Sequence, residues 1–239
     1  MTLRDLLIAT FMVIVAVCSA PASAATTVGV GLSPLIGAHD EGDGPQWVPP
    51  VPIPIAEIRQ RTGGVEVFFE TLPVAVPIAH GAGSGISSTT NLAFFDGAFR
   101  VYVPGNRVYL GLGEIVYNQK TAYSTGQVNS SRVAGGRYEL GALLMRDRRL
   151  RVELDFMPHI SGTVEQKLSP APGAFLDLSV PESGSQFEGK LEYCITHGAT
   201  ELRYGLRYVN YVMAFPRGGV ADHNAGVLPS VAFLWHIGS

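Results

Sequence analysis

From Leu150 to Phe156 the chain alternates without a break. Leu150, Val152, Leu154 and Phe156 fall on one face, and Arg151, Glu153 and Asp155 on the other. Period-two alternation is the mark of a strand whose two faces meet different surroundings. The same pattern predicts strands around Val65–Glu70, Phe95–Val103, Arg137–Leu144, Phe187–Ile195, Leu202–Tyr208 and Val231–Ile237. Val28, Val30 and Leu32 give a weaker one, and Ile55 to Gln60 alternates less cleanly behind a Pro-rich entry at Pro49 to Pro54. No window of similar length carries a helical period. The expected fold is all-β with ten strands, or eight if residues 26–60 form an arm.

The connections sort into two kinds. Arg61-Thr62-Gly63-Gly64, Pro104-Gly105-Asn106, Arg146-Asp147-Arg148 and His197-Gly198-Ala199-Thr200 suit tight hairpins. Segments of roughly 38–50, 73–90, 119–131, 160–185 and 214–225 read as long loops. Short and long alternate along the chain, so a meander places all short turns at one rim and all long loops at the other. This pattern resembles a Gram-negative outer-membrane β-barrel, an up-and-down antiparallel transmembrane barrel. The resemblance is to a class and carries no family motif. It implies short periplasmic turns, long extracellular loops, outer-membrane lipid as the surrounding partner and the barrel-assembly machinery as the folding partner. One feature departs from the class: such barrels usually end in an aromatic residue, whereas this chain ends Trp235-His236-Ile237-Gly238-Ser239. That departure puts the completeness of the last strand in question.

Composition narrows the setting. Of 239 residues 46% are apolar and only 15% charged, with a net charge of −3. Disordered chains are apolar-poor and charge-rich, so that class is excluded. Seventeen Lys+Arg against twenty Asp+Glu, with no basic run, exclude a nucleic-acid partner. Arg4, the apolar run Leu6 to Cys18 and the Ala22-Ser23-Ala24 triplet read as a signal peptide over residues 1–24, cut after Ala24. Residues 25–239 then form a single exported barrel domain with Cys194 as its lone cysteine.

The alternative is a soluble, lipocalin-like binding barrel with its apolar face inward. The polar face opposes it. That face carries Glu66, Glu70, Asp96, Arg100, Glu114, Arg137, Glu139, Arg151, Glu153, Asp155, Glu188, Lys190, Glu192, Arg203 and Arg207, in a chain with only three Lys. Arginine suits buried, bidentate pairing with carboxylates, whereas a solvated face normally uses many lysines. The opposite face is rich in Leu, Val, Phe and Tyr. Tyr102, Tyr109, Tyr117, Tyr138, Tyr193, Tyr208 and Trp235 fall near strand ends, as interfacial girdles would. A barrel of eight to ten strands is narrow enough for its side chains to fill. Arg100, Arg137, Arg151, Arg203 and Arg207 should therefore point inward and pair with Glu66, Asp96, Glu139, Glu153, Asp155, Glu188 or Glu192. The excess of acid implies trapped water, neutral carboxyls or exposure at a rim, and Arg151→Ala should destabilise strongly by stranding a carboxylate.

Candidate chemistry is sparse. The six His form no metal-type cluster with Cys or Glu, so neither metal nor other cofactor is expected. His39-Asp40 and Asp222-His223 lie in the first and last long loops, neighbours in a closed barrel. A His–Asp dyad near acids at an outer rim is the arrangement of the omptin proteases, although the local sequence does not match that family. A lipid hydrolase would need Ser and His on a membrane-facing strand. His159 and Ser161 are two apart and share a face if the strand continues, but read as the start of the loop after Phe156. Three functions stay open: a structural, adhesive or narrowly permeable (porin-like) outer-membrane barrel; a rim protease or lipid hydrolase; or a soluble periplasmic binding barrel. No sequence feature names a small-molecule or protein partner.

Overall fold

The computed structural model describes residues 25–40, 46–72, 76–83, 86–105, 107–123, 126, 128–145, 147, 149–168, 176–214 and 221–237. For 35–40, 46–51, 76–92, 166–168, 176–180, 221–224 and a few isolated positions only the backbone path is described. The signal-peptide reading and the final two residues lie outside this set.

The strands are β1 (Ala25–Asp40), β2 (Gln46–Thr62), β3 (Val65–Thr71), β4 (Val76–Gly83), β5 (Ile86–Tyr102), β6 (Val108–Tyr123), β7 (Val128–Leu144), β8 (Leu150–Leu168), β9 (Leu176–His197), β10 (Thr200–Ala214) and β11 (Ala221–Ile237). Each pairs antiparallel with its sequence neighbour, save that β3 and β4 both pair with β5. They are two halves of one staved position between β2 and β5. Pairing of β1 with β11 and of β3 with both β2 and β5 closes ten positions into a barrel. The described residues of the 26–60 segment belong to the wall as β1 and β2 and form no separate arm. The last strand is complete, pairing with β1 out to Ile237.

Two-residue turns at Gly63-Gly64 and Gly198-Ala199 join strands at one rim, and Gly63 and Gly198 take φ of 58° and 60°. That left-handed region is what such hairpins require and what glycine adopts without strain. The other end differs from expectation. The segments read as long loops are mostly strand: β8 and β9 stay paired out to Leu168 and Leu176, and β4 pairs with Ile86–Leu92. In these segments the sequence loses its strict alternation while backbone pairing continues.

The two faces are sorted as lipid solvation demands. Outward rows follow the register: Val108, Ala142, Val152 and Leu191; then Leu110, Leu140 and Leu154; then Leu112, Tyr138, Phe156 and Phe187. Most of these side chains are exposed, while Asp96, Arg100, Arg137 and Asp155 are fully buried within. Polar inside and apolar outside inverts the soluble barrel and removes the lipocalin-like reading.

One irregularity shapes the wall. Register slips by one residue on both sides of β8 between Met157 and Ile160. Met157 and Ile160 are both buried, and Pro158 and His159 are both exposed. Pro158 cannot donate a ladder hydrogen bond, so a bulge is where it is tolerated.

Candidate functional site: the charged lumen

Inward positions of β2, β3 and β5–β10 converge on a stack of charged side chains. Arg100 is its hub. Its Nε donates to Glu139 Oε2 at 2.7 Å, Nη1 to Glu66 Oε1 at 2.8 Å and Nη2 to Glu153 Oε2 at 2.9 Å. Its guanidinium also lies 4.4 Å from the centre of the Phe68 ring. Tyr102 donates to Glu66 at 3.0 Å, and Tyr109 donates to Glu153. Arg137 donates to Asp96 and Glu139. Lys190 Nζ stands 2.9 Å from both Glu153 Oε1 and Asp155 Oδ2, and 3.8 Å from Glu188.

A second group lies toward the short-turn rim. Arg203 Nη1 grips Glu57 at 2.7 and 2.9 Å, and Nη2 donates to Glu201 at 2.9 Å. Arg59 contacts Glu57 at 3.2 Å and Glu192 at 3.5 Å. Toward the other end Arg207 donates to Glu70 at 2.5 Å, and Gln186 donates to Glu188 and to the Tyr117 hydroxyl. Above this layer the lumen turns apolar. Ile115, Val133, Met157 and Ile160 pack with Tyr117 and Tyr211, and Ile53 and Leu72 pack with Ile55 and Phe94. Charge is thus stacked beneath a hydrophobic layer, with a cavity of about 30 Å³ lined in part by Glu57, Glu70, Lys190, Glu192, Arg203 and Arg207. That is room for a water or two.

Arg100, Arg137, Arg203 and Arg207 each meet carboxylates directly. Arg151 does not: it reaches Glu66 at 3.8 Å and Glu192 at 3.9 Å and is partly exposed. Glu114, counted with the polar face by its charge, sits on the outer wall; it has the parity of Leu110 and Leu112 and is exposed. Glu57, Arg59 and Glu201 join the network without having been expected in it. Their parity was readable, since Glu57 and Arg59 alternate with Ala56 and Ile58. Three of the girdle tyrosines are corrected: Tyr102 and Tyr109 are buried in the lumen, and Tyr117 points inward to Gln186. Tyr102 shares the parity of Arg100, and each inward hydroxyl finds a polar partner that lipid does not offer. Tyr138, Tyr208 and Trp235 are exposed on the outer wall.

Carboxylate oxygens of Glu139, Glu153 and Asp155 lie within 4.8 Å of one another. Arg100, Arg137 and Lys190 stand among them and supply the positive charge that a cation would bring. For the rim residues the backbone register sets Asp40 opposite His223 and His39 opposite Asn224, and places Asp222 opposite Met213. The side chains of His39, Asp40, Asp222 and His223 lie outside the described residues. His159 and Ser161 begin no loop; both are exposed on β8, which continues to Leu168.

No family model and no curated protein matches the chain. Among solved structures, the outer membrane protease OmpT from Escherichia coli is similar at 8% identity and a TM-score of 0.56, with 89% of this chain and 97% of that one covered. The β domain of the Bordetella autotransporter BrkA (11% identity, TM-score 0.45, 89% and 99% covered) and the translocator domain of NalP from Neisseria meningitidis (10%, 0.43, 98% and 96%) also align. At these identities the likeness to OmpT concerns the fold alone: the chain has the closed antiparallel architecture of an outer-membrane β-barrel.

Proposed function

We propose that this chain resides in the outer membrane as a sealed barrel, a structural platform whose activity lies on its wall and its projecting end. One observation carries the reading: Arg100, bonded to three carboxylates and essentially inaccessible, lies inside the barrel beneath a buried apolar cluster of Ile115, Val133, Met157 and Ile160. A permeation path would have to break both layers. The apolar outer rows fit a hydrocarbon band about 25 Å tall, and the paired strands beyond it project an adhesive or recognition surface. Cell fractionation with heat-modifiable migration on a denaturing gel tests the location: recovery in the soluble periplasm would refute it. Planar-bilayer recording tests the seal: silence is expected, and stable unitary conductance would refute it.

The register of Asp40 with His223 favours one second reading, a rim protease of the kind its structural neighbour is. A folded sample that cleaves a fluorogenic peptide library, and stops when His223→Ala is introduced, would establish it. An inert sample would dismiss it.

A further inference from the structure

With the lumen filled, chemistry has to sit on a surface, and among the described residues the outer wall carries a polar break within its apolar rows. Among the described residues Glu114 is the sole charged side chain on the outer wall with apolar neighbours both below it (Leu112) and above it (Val116) on its own strand. Its register partner is Gly136, where an added Cβ would meet nothing within 4 Å. Across that bare glycine lies the β8 bulge, with the His159 carbonyl oxygen beside neighbouring Gly135. The bulge turns His159 outward, and Ser161, paired with Ala134 and Ser183, is outward too. An acid, an imidazole and a hydroxyl thus share one patch, with an open trough at Gly136 between the first two.

The spacing suits catalysis. Residues two apart on a strand face stand about 7 Å apart at Cα, a gap an imidazole spans, and two strand spacings of about 10 Å separate Glu114 from His159. Glutamate and histidine side chains can close that distance over a residue that has none. Height matters as well. Glu114 stands three rows above Val108, roughly 20 Å along the strand or about 15 Å of height at a 40° tilt. On β6 and β7 polar outward residues begin two rows higher, at Asn118 and Arg132. The patch therefore lies in the upper part of the apolar band, where the acyl esters of the outer leaflet sit.

We propose that Glu114, His159 and Ser161 form an outer-wall site that hydrolyses acyl esters of membrane lipids; the proposal rests on the membrane placement argued above. Ser161 Oγ attacks the ester carbonyl carbon and its proton passes to the His159 ring. The carbon–oxygen bond to the alcohol breaks, and the imidazolium returns the proton to the leaving oxygen. Water, deprotonated by His159, then attacks the acyl-serine, releasing the fatty acid and restoring Ser161. Glu114 is a positioning residue that orients the imidazole.

The shared chemistry is an ester at the interface, and two lipid classes carry it. The test uses the full chain folded into phosphatidylethanolamine/phosphatidylglycerol vesicles and, separately, into vesicles containing lipopolysaccharide, with released fatty acid measured by mass spectrometry. Release is expected from one of the two, which names the source. A fluorophosphonate should label Ser161. Ser161→Ala and His159→Asn should each lower release about 100-fold or more while heat-modifiable migration is unchanged. Glu114→Gln should lower kcat for release with KM unchanged, as the loss of a positioning residue would, while the fluorophosphonate still labels Ser161. Gly136→Leu fills the trough without touching the three groups and should abolish release from a barrel that still folds. Vesicle insertion without fatty-acid release from either lipid, or undiminished release by Ser161→Ala, would overturn the site; failure to insert would overturn the membrane reading along with it.

Discussion

Glu153 and Glu114 are the same residue type in neighbouring parts of one barrel, and their surroundings are opposite. Glu153 is inside, held by Arg100, Lys190 and Tyr109. Glu114 is outside, flanked by Leu112 and Val116 and a bare glycine. The inner carboxylate has a reason to be there for the fold: it compensates the buried Arg100 and Lys190. The outer one has none, since a charge in the apolar band costs free energy that no described partner returns. Charge that the fold uses and charge that it merely carries can be told apart by which wall it is on.

The comparison yields variants of graded effect. Arg100→Ala should be the most damaging, leaving Glu66, Glu139 and Glu153 without their shared partner at a cost of about 3–5 kcal/mol; urea unfolding in lipid vesicles would read it. Gly141→Val comes next. Tyr109 lies over Gly141, its register partner, so a side chain there must displace a buried ring, at about 1–3 kcal/mol in the same assay. Glu114→Leu should act in the other direction, raising stability by up to about 1 kcal/mol, because a lipid-facing acid near the band's edge is replaced by an apolar side chain. Arg151→Ala should be the mildest, within about 1 kcal/mol, because its contacts with Glu66 and Glu192 are long and partly wet. Equal losses for Arg100→Ala and Arg151→Ala would show that the hub assigned to Arg100 is misplaced.

The apolar band was legible wherever its alternation was strict. Leu150 to Phe156, Arg137 to Leu144 and Leu202 to Tyr208 fixed both strand and face. Parity also carries Tyr102 and Glu57 to the lumen, but residue type points Tyr102 to an interfacial girdle and the prolines of β2 blur its alternation. Glu114 shows the converse, since its charge outweighed its parity. Two features had no sequence signal of this kind. Strict apolar–polar alternation stops after Phe156, so nothing in 160–185 marked it as paired. The bulge at Pro158-His159 restores inward burial at Ile160, and only the ladder on either side reveals it.

The central claim is that apolar rows face lipid while the charges face a sealed interior. Nitroxide labels at Leu110, Leu112, Leu154 and Phe233, one at a time in vesicles, test it most directly through collision with oxygen and with a water-soluble nickel chelate. High oxygen and low nickel accessibility at all four is the expected result. Labels immobilised and shielded from both reagents would place these residues in a core, turn the barrel inside out and contradict the account.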